Sequence, residues 1–227
     1  MCGRYNFFTP LADIELKLGV KAVEWAEWQA RYNAAPTQVM PVITNEFPGI
    51  IQFFRWGLVP KWAKEESMGS KMINTRAESI VEKPAFRNIF KYKRCIVLAS
   101  GFYEWQQIPV LPMAGAKQKL VKQPYHIFRS DKEPLLLAGL WDTWQGSLNT
   151  FSIITCPPNE EMTPIHNRMP VALSQSEAKI WLDNTAKPDD WLALLKPAEN
   201  GTLDMHPIST AVNKPVINDA SLLEPLT

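Results

Sequence analysis

The stretch Arg94–Trp105, RCIVLASGFYEW, holds an apolar run of strand length, a glycine, and a second, aromatic run. RCIVLAS is continuous rather than alternating, as expected of a strand covered on both faces. Outward from it the same signal repeats. VMPVIT and IIQFF lie upstream, and PYHIFR, LLLAGLW and TFSIITC lie downstream. Each is short, rich in β-branched or aromatic residues, and bounded by Pro, Gly or polar turns. Helical patterns stand around this β-rich middle. TPLADIELKLG offers Thr9 as an N-cap, Pro10 in the first turn and Gly19 as a stop. A second helical piece is expected around Trp25 and Trp28. KPAFRNIF reads as one or two turns, and SQSEAKIWL has Ser174 and Glu177 in capping-box spacing. RYNAAPTQ reads as a loop, and DMHPISTAVNKPV as a last strand and a tail. Residues 107–123 read as a long, mobile hairpin insertion between two strands. The expectation is an α+β fold: a single domain over residues 2–227, with a mostly antiparallel, barrel-like β core and peripheral helices.

The 227 residues are 46% hydrophobic and 21% charged, the mix of a globular protein able to bury a core. No run approaches the ~18 apolar residues of a membrane span, and no signal-peptide pattern opens the chain. The three cysteines, Cys2, Cys95 and Cys156, are too few and too uneven for a disulfide framework, which fits a reducing cytoplasm. No CxxC or HxxxH spacing appears, so no metal site is expected. Net charge is only +1, but residues 55–94 carry ten basic side chains against four acidic ones, a local +6. Trp56, Trp62, Phe86, Phe90 and Tyr92 interleave with the cations. That pattern suits single-stranded nucleic acid, where phosphates meet cations and bases stack on rings. It also fits a solvated face with core aromatics behind it.

A few side chains stand out chemically. If Met1 is removed, Cys2 carries a free α-amine beside a thiol. The amine has an ordinary pKa near ~7.7–8.0 and the thiol near ~8.5. Such a residue supports two reactions: thiol attack on an amide with the amine as base, or Schiff-base formation with an aldehyde followed by closure to a thiazolidine. A buried, inert cysteine is the plain alternative. Glu104 sits inside GFYEW. Facing a pocket it would titrate near neutrality and shuttle protons, while facing solvent it would do nothing. His166, in TPIHNRMP between two prolines, is an acid–base candidate on a rigid loop or a locally satisfied histidine. His126 and His206 read as structural. In INTRAES, an extended backbone would point Asn74, Arg76 and Glu78 the same way, giving an amide and a guanidinium for phosphate.

Six motifs occur in order: MCGRY, RYNAAPTQ, RWGLVPKW, INTRAES, RCIVLASGFYEW and ITCPPNEEMTPIHNRMPV. Together they resemble the SRAP (SOS response-associated peptidase) family over nearly the whole chain. The resemblance implies a protein that guards abasic sites in single-stranded DNA by cross-linking the N-terminal cysteine to the ring-opened sugar aldehyde. This is self-modifying chemistry with peptidase-like and lyase-like features, and it requires no cofactor and no metal. It places the catalytic residues at Cys2, Asn74, Glu104 and His166, with His166 supplying a proton to the sugar ring oxygen. It also implies self-processing in which Cys2 removes its own leader, here only Met1. Arg4, Arg76 and Arg168 would pair with phosphates. Asn33, Pro36, Trp62, Trp105 and Thr155 would line the DNA channel, with Pro36 and Trp62 wedging or stacking at the lesion. After HNR stands Met169, where some members carry a second basic residue. The implied partner is single-stranded DNA containing abasic sites. No membrane is implied; a monomer is expected, cytoplasmic and nucleoid-associated if bacterial. Two other readings stay open from the residues alone: an N-terminal nucleophile amidohydrolase of the glutamine amidotransferase type, and a non-catalytic reader of modified DNA.

Overall fold

The computed structural model describes residues 2–23, 28–82, 84–110 and 119–226. Its elements begin with β1 (Arg4–Phe7), α1 (Leu11–Leu18), β2 (Lys21–Ala22), β3 (Arg31–Ala34), β4 (Val39–Thr44), β5 (Ile50–Trp56) and β6 (Asn74–Arg76). Next come α2 (Pro84–Tyr92), β7 (Arg94–Ala99), β8 (Gly101–Val110), β9 (Lys119–Arg129), β10 (Leu135–Trp144) and β11 (Leu148–Cys156). The chain closes with β12 (Met169–Pro170), β13 (Ala172–Leu173), α3 (Gln175–Leu182), α4 (Pro188–Ala193) and β14 (Leu203–Pro207).

Strands β4, β5, β11, β10 and β7 close into a five-stranded barrel. Its neighbours are antiparallel except β5 and β11, whose parallel pairing of Arg55 with Thr150 and Trp56 with Phe151 completes the ring. A second, fully antiparallel sheet runs in the order β14-β9-β8-β1-β3. The α+β expectation with a barrel-like antiparallel core therefore holds. All six residues of β7 are buried, because β7 lies between β4 and β10 with α2 and α3 packed outside. That double cover is why RCIVLA is apolar throughout.

In β8 the two faces separate. Phe102 joins the barrel core, whereas Tyr103 packs with Ile208, Val212 and Leu222 of the C-terminal segment. Gly101 has no room for a side chain: a Cβ there would stand 2.5 Å from His126 Nε2 and 2.7 Å from the Ile127 carbonyl.

Several local expectations change. Thr9 does not cap α1, which starts at Leu11 with Pro10 at the cap position, and the Thr9 hydroxyl instead meets Ser100 Oγ at 2.8 Å. Gly19 does end α1, in the left-handed conformation with φ 68°. The Ser174–Glu177 capping box forms. RYNA, expected as loop, is strand β3, held at the sheet edge by β1. Residues 107–110 and 119–123, expected as insertion, continue the β8–β9 ladder as far as Val110 opposite Lys119. Residues 111–118 lie outside the described residues, as does most of the helical piece expected around Trp25; Trp28 stands in no helix.

Arg94 is fully buried. Its guanidinium donates to the carbonyls of Phe90 (3.1 Å), Lys91 (2.7 Å), Trp181 (2.8 Å) and Asp183 (3.3 Å), and lies 3.4 Å above the Trp191 ring centre. Burial lowers its pKa to about 10, so it stays charged and ties the ends of α2 and α3 to β7.

Candidate functional site

Four chain segments converge where the barrel meets the second sheet. Cys2 lies two residues before the start of β1 and is fully buried. The first residue of β6, Asn74, is fixed by parallel pairing with Ile153 of β11 and donates from Nδ2 to the Cys2 carbonyl at 2.8 Å. Its Oδ1 is buried without a hydrogen-bond partner among the described residues. Glu104 shares the inward face of β8 with Phe102 and is only 2% exposed. His166 comes from the loop between β11 and β12, and its Nε2 lies 3.8 Å from Glu104 Oε2, adjacent but too long for a direct hydrogen bond.

Burial sets the proton affinities. It raises the Glu104 carboxyl from its ordinary 4.5 to about 7, so the group exchanges protons near neutrality. Burial, followed by the nearby Glu104 charge, pushes the Cys2 thiol far above its usual range and keeps it protonated. Burial also lowers the His166 pKa. His166 Nδ1 accepts the Arg168 backbone N–H at 3.0 Å, closer than its 3.3 Å approach to the Arg168 carbonyl, and this shorter bond favours the tautomer with the imidazole hydrogen on Nε2, facing Glu104. At neutral pH this ring offers a hydrogen bond. It is a proton donor only in its minority imidazolium form.

The loop bearing His166 is held at several points. The His166 and Ile165 N–H groups both bond to the Met162 carbonyl at 2.9 Å, and Asn159 Oδ1 accepts the Met162 N–H at 3.0 Å. From β8, Gln106 Nε2 donates to the Pro164 carbonyl at 3.1 Å, coupling the loop to the strand that carries Glu104. Nothing in the sequence around Gln106 signals this, because the partner is a backbone oxygen 58 residues away. Met169 is buried, and its sulfur accepts the Asn159 N–H at 3.3 Å.

The expected DNA contacts divide into two groups. Trp62 is 61% exposed and Arg76 is exposed, so both are available to a ligand; Pro36 is half-buried. Arg168 lies beside His166. Asn33 and Thr155 are shut off from solvent. The Thr155 carbonyl and hydroxyl accept Arg168 Nη2 at 2.5 and 3.2 Å. Asn33 Nδ2 donates to the carbonyls of Val212, Lys214 and Ile217 (3.1, 3.1 and 2.9 Å), and its Oδ1 accepts Arg4 Nη1 at 2.8 Å. Arg4 also bonds the Val212 carbonyl at 3.0 Å, and Trp105 Nε1 bonds Asn213 Oδ1 at 2.8 Å. Arg4, Asn33 and Trp105 thus bind the segment after β14 to the outer face of the second sheet. The INTRAES expectation changes too: the strand ends at Arg76, and Ala77–Ser79 form a 3-10 turn that carries Glu78 to Arg168.

The sequence model of the family described as SOS response associated peptidase (SRAP) matches residues 1–215. The abasic site processing protein YoaM of Bacillus subtilis is 38% identical over 231 residues, covering 99% of this chain and 98% of that protein. The abasic site processing protein HMCES of Xenopus tropicalis is 33% identical, covering 84% of this chain and 67% of that one. A crystal structure of a protein from Bacteroides thetaiotaomicron superposes with TM-score 0.85 at 28% identity, over all of both chains.

Proposed function

Given that the chain belongs to the SOS response associated peptidase family, we propose that it processes abasic sites in single-stranded DNA by closing Cys2 onto the exposed sugar aldehyde. The observation that carries this reading is the hydrogen bond from Asn74 to the Cys2 carbonyl, made beside a buried carboxyl that titrates near 7. The names of the relatives support the lesion as the substrate.

Loss of Met1 turns the Cys2 nitrogen into an amine. Asn74 holds the residue by its carbonyl, and Asn74 Oδ1 accepts an N–H of that amine. Glu104 takes the proton the amine must lose before it attacks. The hemiacetal opens with His166 Nε2–H bonded to the departing ring oxygen, and the aldehyde carbon accepts the amine. Glu104, now protonated, returns its proton to the carbinolamine hydroxyl, which leaves as water. The thiol then adds to the imine carbon, and its proton ends on the ring nitrogen. One water is lost overall, and a thiazolidine joins protein to DNA. Because the thiol is held protonated, the amine acts first and the sulfur last. A thiolate-first amide hydrolysis is the poorer match to this environment. Trp62 and Arg76 supply an exposed ring and cation for the flanking strand.

Intact mass spectrometry tests the reading. Protein lacking Met1, incubated with an abasic single-stranded oligonucleotide, should gain the mass of the oligonucleotide less one water. Cys2→Ala keeps the amine but loses the ring-closing atom, so the heat-stable adduct should vanish. A Cys2→Ala protein that traps DNA as well as wild type refutes the thiazolidine.

A further inference from the structure

We propose that Glu78 is an intramolecular stand-in for a DNA phosphate, occupying the guanidinium fork of Arg168 until a strand displaces it, and so restraining the protein's binding to undamaged DNA. Arg168 is bidentate to this carboxylate. Nη1 pairs with Oε1, and Nη2 with Oε2 at 2.9 Å. The inner side of Nη2 is held by the Thr155 carbonyl and hydroxyl. Arg168 Nε is buried and has no hydrogen-bond partner among the described residues. The Arg168 side chain is only 12% exposed, while that of Glu78 is 49% exposed. The carboxylate therefore covers the cation from the solvent side.

A carboxylate and a phosphate present the same pair of oxygens to the fork, so the two are alternative occupants of one place. Exchange is feasible because Glu78 sits on a short 3-10 turn with its side chain half in water, where a solvated ion pair is weakly held. Arg168 cannot swing away in the same manner. Thr155 grips its guanidinium, and its own N–H anchors His166. The anion moves and the cation stays. Glu78 lies on the turn that directly follows the strand presenting Asn74 and Arg76, two residues beyond Arg76, so a nucleic-acid strand held by Arg76 would lie near it.

This inference rests on the reading that Arg168 meets the DNA backbone, and its test is separate from that of the cross-link. Binding of an undamaged oligothymidine is measured by fluorescence anisotropy across a salt series for wild type, Glu78→Gln, Arg168→Gln and the double variant. Glu78→Gln should bind about 3–10-fold tighter at low salt. Its log K against log salt should be steeper by ~0.7, one additional phosphate neutralised on a single strand. The gain should be absent when Arg168 is also Gln. Unchanged or weaker binding by Glu78→Gln overturns the proposal, and so does a gain that persists without Arg168, which marks a general charge effect. Glu78→Asp, keeping the charge with a shorter reach, should give a smaller gain with wild-type melting; weakened binding by a folded Glu78→Asp also counts against the gate. Adduct formation on abasic DNA, read by mass in the same proteins, reports separately on the cross-linking reading.

Discussion

Replacing Glu104 by Gln should stabilise the protein at alkaline pH while slowing its chemistry. The carboxyl is 2% exposed, and burial lifts its pKa from 4.5 to about 7. Between those values the folded chain binds a proton that the unfolded chain releases. The contribution of the protonated form is complete below about pH 4.5 and is lost as pH rises through about 7. With 1.36 kcal/mol per pKa unit, a rise of about 2.5 units corresponds to a loss of about 3 kcal/mol by pH 8.5. Gln is neutral throughout and carries no such loss. For a chain of this size, about 3 kcal/mol is roughly 6–12 °C in melting temperature. Wild type and Glu104→Gln should therefore melt close together at pH 4.5 and diverge progressively toward pH 8.5, with the variant higher. On the proposed mechanism the same substitution removes the proton acceptor for the Cys2 amine, and capture should slow by about 10²–10⁴-fold. Melting curves for both proteins from pH 4.5 to 8.5, with capture rates at pH 7, check this. A melting difference that stays constant across the range means the carboxyl is not held near 7, and the assigned base fails with it.

Two further outcomes concern the scaffold. Arg94→Ala leaves four backbone carbonyls without their donor and removes the ring contact with Trp191. It should cost about 3–5 kcal/mol in denaturant unfolding, and Arg94→Lys, lacking the planar fork, should lie between the two. Asn33→Ala removes the donor to Val212, Lys214 and Ile217 and the acceptor of Arg4. A loss of about 1–3 kcal/mol is expected, with faster amide hydrogen exchange confined to residues 208–226. Unchanged exchange there would show that the clamp does not hold the segment.

What the sequence disclosed depended on whether the decisive force was local. RCIVLAS and FYEW announced β7 and β8 because β-branched and aromatic runs fit a covered, pleated surface wherever they lie. Ser174 and Glu177 announced a helix start because the box closes within four residues. RYNA had no such signature; Tyr5 and Phe7 of β1, a distant segment, make it a strand. Residues 107–110 hold a proline and residues 119–123 two lysines and a glutamine, yet they pair because β8 and β9 are already in register below them. Family motifs located Asn74, Glu104 and His166, but not what surrounds them. Arg4, Asn33 and Trp105 matched motif positions and belong to a clamp whose other half, residues 212–218, carries no recognisable pattern. Glu78 was visible only as one of three alternating polar residues. Its partner lies 90 residues on, and the turn that delivers it begins where alternation stops.

The burial that brings the Glu104 carboxyl to titrate near neutrality also holds the Cys2 sulfur as a thiol. One low-dielectric wall thus pushes two groups upward with opposite consequences: the carboxyl becomes competent and the thiol becomes quiescent. A cysteine exposed to solvent beside Arg4 would gain thiolate character and react with any passing electrophile. Here the Arg4 guanidinium is turned toward Asn33 and Val212, and it is the Arg4 backbone carbonyl that accepts the Cys2 thiol, at 3.7 Å. On the proposed mechanism, the sulfur then waits for an electrophile created beside it, the imine formed by its own amine. Selectivity for an aldehyde would then follow from that order of steps, since only a carbonyl that condenses with the amine would give the thiol a carbon within reach.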